Sequence, residues 1–150
     1  MNVAQSIVEI RTLINNKDCR SLNRLLDHTV ERVCDYLFIE FFPVKEWGRV
    51  MPYEFVSFLK KKHKMKEIDY EIVHFMEVYC REESSYCCSL DFIYDDYQIM
   101  VDCGCAEVQT PEDYDTLLAV NHAKTVLELL TDLLKFLEEK HFIRAEQIEM

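Results

Sequence analysis

The sequence predicts an α+β fold, predominantly helical and in one domain over residues 1–150, with a single antiparallel β-hairpin packed against a helical bundle. Three observations predict it. Apolar residues recur at helical spacing along most of the chain, whereas between 86 and 104 the period changes to two. No internal repeat, low-complexity tract or Gly/Ser/Pro linker divides the sequence. A chain of 150 residues can bury roughly two thirds of its unfolded surface, so it needs no disulfide or metal staple to fold.

The first helix is expected over 3–15, where Val3, Ile7, Ile10 and Ile14 form one stripe before Asn15-Asn16-Lys17-Asp18 breaks it. A second is expected over 19–41, with Leu22, Leu25, Leu26, Val30, Val33, Leu37 and Phe41 at helical spacing and Pro43 just past its end. The two should pack antiparallel. A loop over 43–51 holds the single tryptophan, Trp47, and Pro52 is placed as the first residue of a third helix reaching about 63. Asp69 is placed to cap a fourth helix over 70–81.

Folding the next segment about Asp95-Asp96 brings together residues whose numbers sum to 191. Cys88, Leu90, Phe92 and Tyr94 then face Cys103, Val101, Ile99 and Tyr97 on one apolar side, and the alternation predicts a half-buried hairpin. Thr110-Pro111-Glu112-Asp113 reads as a helix start: a hydroxyl cap, a proline in the first turn, and acids where the helix dipole is positive. The last helix should run to about 141, with a leucine seam that makes it the spine of the core, and the tail 144–150 is expected to fray.

Glycine is scarce. Only Gly48 and Gly104 occur, too few for a dinucleotide or phosphate-binding loop, so neither an enzyme of those classes nor a cofactor is expected. The longest apolar-rich stretch, 33–44, is interrupted by Asp35 and Glu40, which argues against a membrane partner. The opening MNVAQSIVEIRTLI lacks a basic start followed by an apolar run, so a cytoplasmic protein with reduced thiols is expected. The odd number of cysteines, seven, also argues against a closed disulfide framework.

Charge is unevenly spread. The chain carries a net −11, yet residues 44–66 hold seven basic and two acidic side chains, while residues 67–116 hold fourteen acids and Arg81 alone. The order of helices, hairpin and long helix resembles a winged helix-turn-helix followed by a dimerisation helix. Its would-be recognition helix and wing are acidic, however, and would be repelled by DNA, so direct DNA binding is not expected. Either the acidity keeps the chain soluble, or it docks on a basic surface of a protein partner, as an inhibitor, immunity protein or viral antagonist would. The docking surface expected from the sequence is Asp91, Tyr94, Asp95, Asp96, Tyr97, Asp102, Glu107, Glu112, Asp113 and Asp115. The rival readings are a dimeric winged-helix-like regulator, paired through the last helix, and a zinc-binding or cysteine-dependent protein.

The run Lys60-Lys61-Lys62-His63-Lys64-Met65-Lys66 reads as a helix end whose cations complement the dipole. Cys80, Cys87, Cys88, Cys103 and Cys105 are crowded enough to suggest zinc, but they are spaced C-C and C-x-C rather than as paired C-x₂-C knuckles. They read instead as small buried hydrophobes, with Cys88 and Cys103 directly opposite in the hairpin. A cysteine–histidine pair with His28, His63, His74, His122 or His141 would need an electropositive setting for its thiol. The acidic block supplies the reverse, and no catalytic residue or metal ligand is assigned.

Overall fold

A computed structural model describes residues 1–41 and 52–150, and among these every regular element is helical. The expected loop at 43–51, with Trp47, lies outside the described residues. The helices are α1 (Val3–Asn16), α2 (Cys19–Phe41), α3 (Pro52–Lys60), α4 (Glu67–Asp91), α5 (Ile93–Asp102) and α6 (Pro111–Glu139).

Local chemistry explains several ends. The Asn2 side chain accepts from Gln5 N at 3.0 Å, and Gln5 Oε1 accepts from Asn2 N at 2.9 Å, so two orphan donors of α1 satisfy each other reciprocally. Lys17 closes α1 in the left-handed region, with φ 55°. Asp69 sits in the first turn of α4, where its carboxylate accepts from Lys66 N at 2.8 Å. Thr110 Oγ1 accepts from Asp113 N at 3.1 Å and starts α6.

The four long helices run up-down-up-down. Thr29 Oγ1 donates to Ser6 Oγ at 3.1 Å, which makes α1 and α2 antiparallel about their tight connection. Glu67 pairs with Lys140 at one end of α4 and α6 and Glu83 pairs with His122 further along, so those two are antiparallel as well. Helix α6 touches α1, α2, α4 and α5, and Val126, Leu127, Leu130, Leu133, Leu134 and Leu137 are all buried along it. The leucine seam expected as the spine of the core is buried inside the protomer. Burial on this scale stabilises by roughly 1.5–3 kcal/mol per large apolar side chain.

The hairpin is absent, and the α+β expectation is corrected to an all-helical fold. Residues 86–103 carry two patterns at once. Tyr86, Leu90, Ile93, Tyr97 and Met100 are spaced by three or four, and these are the positions turned wholly or partly inward. The alternating residues Cys88, Phe92, Tyr94, Ile99, Val101 and Cys103 are exposed instead. Asp95 and Asp96 occupy no turn; they lie in the first turn of α5, where acids complement the dipole. The interruption falls at Phe92, between α4 and α5. With no strand among the described residues there is no wing, and the element order behind the winged-helix resemblance is lost.

At φ 72° Gly104 follows the end of α5, where Gly104 N donates to Val101 O at 3.0 Å and Cys105 N donates to Met100 O at 2.9 Å. The tail, expected to fray, is docked. Val3 N donates to Ile148 O at 2.9 Å, Met150 N donates to Met1 O at 3.0 Å, and Ile148 is buried. From α2, Arg32 Nε donates to Glu149 O at 3.1 Å.

Candidate protein-binding surface

The acids of residues 67–116 separate into two groups with different fates. In the first half of the block each acid that pairs does so within the fold. Lys60 pairs with Glu77 across α3 and α4. Lys62 Nζ lies 2.8 Å from the fully buried Asp69, and Lys140 Nζ lies 3.0 Å from Glu67. The lysine run expected to be a solvated helix end is partly consumed by these contacts.

Glu82 and Glu83 turn inward to His122 of α6. His122 Nε2 donates to Glu83 at 2.9 Å, and Nδ1 lies 3.6 Å from Glu82, a charge contact too long for a hydrogen bond. The imidazole is only 5% exposed and stacks on Tyr86 with centroids 4.2 Å apart and planes 8° from parallel. Burial pulls the His122 pKa down, but the hydrogen bond and charge of Glu83, then the nearby carboxylate of Glu82, outweigh it and raise it above the ordinary 6.5. The bond from His122 in turn lowers Glu83 below 4.5. Asp27 of α2 lies close by, its carboxyl pushed up by burial and then by the Glu83 charge. The sequence left His122 as one helical histidine among five. The Glu82-Glu83 doublet could have marked its partner, but only the antiparallel packing of α4 on α6 brings them together.

This cluster ties α4 to α6. Among the described residues, no group of three or more His, Cys, Asp or Glu is placed to hold a metal ion. The cysteines are not the buried hydrophobes expected. Cys80, Cys87, Cys88, Cys103 and Cys105 are all unbridged and exposed, and without a hairpin Cys88 and Cys103 are no longer directly opposed. Cys34 is the packed thiol, pushed up to about 12 by burial and then by the charge of Asp35.

The second group of acids is where the sequence placed the docking surface. Asp91 ends α4, Asp95, Asp96 and Asp102 lie on α5, Glu107 lies in the connection to α6, and Glu112, Asp113 and Asp115 lie in the first turns of α6. All are exposed except Asp96, which is half-buried, and none of them makes an ion pair among the described residues. No lysine or arginine occurs between Arg81 and Lys124. Packing gathers the segments: Tyr97 lies 6.1 Å from Tyr114 between ring centroids, and its hydroxyl donates to Val108 O at 3.2 Å. Tyr97 itself is therefore a buried positioning residue rather than an exposed anchor.

The sequence missed what surrounds these acids. Phe92, Tyr94, Ile99 and Val101 are 55%, 66%, 60% and 44% exposed, a concentration of bare large hydrophobics within one short segment. Helix α5 contributes nothing to the main core, its one buried residue being Tyr97. Across the whole chain, no protein-family model, curated protein or solved structure matches.

Proposed function

We propose that the chain is a non-enzymatic, acidic protein-binding module that docks on a basic surface of a partner protein. It would act in the cytoplasm, and the roles that suit it are inhibitor, immunity protein or viral antagonist. One observation carries the reading: among the described residues the acids from Asp91 to Asp115 make no ion pair, whereas several of those before Asp91 are paired internally. Paired acids serve the fold. Unpaired, clustered acids leave a negative field that speeds encounter with a positive partner and repels a negative one.

Exposed aromatic and aliphatic side chains beside the charge add area that water leaves on contact. Among the described residues no helix is long and apolar enough to cross a membrane, in keeping with a macromolecular partner in solution. The test is a pull-down from the source cells with the wild-type chain and with Asp95→Lys/Asp102→Lys. The partner lost from the variant is then purified and its affinity measured against salt. A specific partner lost on charge reversal, and retained by Glu128→Lys/Asp132→Lys on the exposed side of α6, is the expected result. An unchanged set of partners overturns the reading.

A further inference from the structure

We infer that the element docking against α5 is a basic amphipathic helix of the partner, with a row of lysines or arginines flanked by apolar side chains. The inference rests on the acidic docking reading and names the chemistry that fills the same surface.

The exposed arc of α5 has an internal order. Asp95, Gln98 and Asp102 follow at i, i+3 and i+7, and so form one row along the helix. Tyr94 and Val101, seven apart, form the row on one side of it, while Ile99 lies on the other side and Phe92, at the N-cap that precedes the helix, is bare as well. All of these residues are exposed. A carboxylate row with apolar side chains on both sides is poorly served by water alone, since the apolar area stays wet. It is equally poorly served by an all-apolar partner, which would strip water from two carboxylates without replacing it.

A partner that brings cations between apolar side chains meets both requirements. A helix presents rows at the same axial spacing as those of α5, so its ridges can follow the ridges and grooves here along their length. The ten residues of α5 span about 15 Å, enough for roughly three turns of contact. An anionic membrane or a nucleic acid is disfavoured by the same charge.

The probes are two synthetic lysine–leucine peptides of identical composition, one with leucines at helical spacing and one with strict alternation. Binding of each labelled peptide to the full chain is followed by fluorescence anisotropy. The helical-period peptide is expected to bind at least about tenfold tighter than the alternating one. That preference should disappear in Ile99→Ser/Val101→Ser, whose helicity is checked by circular dichroism, and persist in Val8→Ser, which removes an exposed apolar residue on α1.

Equal binding of both peptides, weakened only by Asp95→Lys/Asp102→Lys, overturns the helix inference and leaves the acidic docking reading standing. A preference that survives in Ile99→Ser/Val101→Ser overturns it also, because the contact then lies elsewhere. Binding of neither peptide overturns the helix inference, while the docking reading stands or falls with the charge-reversed pull-down.

Discussion

His122 Nε2 lies 2.9 Å from a carboxylate oxygen of Glu83, so a buried imidazole of α6 is joined to an acid of α4 thirty-nine positions earlier. The two groups shift in opposite directions, His122 up from 6.5 and Glu83 down from 4.5. The stability contributed by His122 is fully present below its unfolded value and is lost as pH rises through its raised folded value. The contribution of Glu83 is present above its unfolded value and is lost as pH falls through its lowered folded value. Both act together between about pH 4.5 and 6.5. Replacing His122 by Gln is expected to cost about 1–3 kcal/mol at pH 6, and less as pH rises or falls out of that window. Urea unfolding of both proteins across pH measures this; a difference independent of pH would reject the charged pair.

Asp69 is fully buried and depends on Lys62 Nζ and Lys66 N, each 2.8 Å away. Removing one partner of a buried pair leaves an uncompensated charge, so Lys62→Met should destabilise by about 2–4 kcal/mol. Lys61→Met, at an exposed position of the same run, should stay within about 0.5 kcal/mol. Equal losses in chemical denaturation would show that Lys62 does not hold Asp69.

Thiol labelling separates the helical fold from the hairpin. In the native protein Cys80, Cys87, Cys88, Cys103 and Cys105 should react readily, with Cys34 lagging far behind. Mass spectrometry after a short alkylation pulse assigns the sites. Slow reaction at Cys88 and Cys103 together would favour an inward-facing hairpin instead.

The docked tail predicts a local effect. Ile148 is buried against the core while the neighbouring backbone pairs with Val3 and Met1. Ile148→Ala should cost about 2 kcal/mol, at the low end for a core truncation because a tail can relax into the gap. Amide exchange at Val3 and Met150 should accelerate more than exchange within α4. Uniform acceleration would mean that the tail unfolds only with the whole domain.

Several elements were legible because their signals are local. Val3, Ile7, Ile10 and Ile14 place α1, Thr110-Pro111 starts α6, and the leucine spacing of α6 makes it the central helix. Within 86–103 the local signal was ambiguous, since apolar residues fit both a period of two and a stripe of three and four. The two patterns select different inward faces, and only contact with α6 decides between them. Tyr86 stacks on His122 and Tyr97 packs beside Tyr114, which makes Tyr86, Leu90, Ile93, Tyr97 and Met100 the inward row and leaves Phe92, Tyr94, Ile99 and Val101 bare.

The sequence by itself determined the helical character, the starts of α1 and α6, and the excess of acid between positions 67 and 116. The tertiary structure alone decided which acids are neutralised by Lys60, Lys62, Lys140 and His122, and which remain without an ion pair among the described residues on α5 and the start of α6. The physical reason is range. Helix caps and apolar periodicity act over a few residues of chain. The field around a carboxylate depends instead on which cation lies within a few ångströms, and packing between distant helices sets that distance.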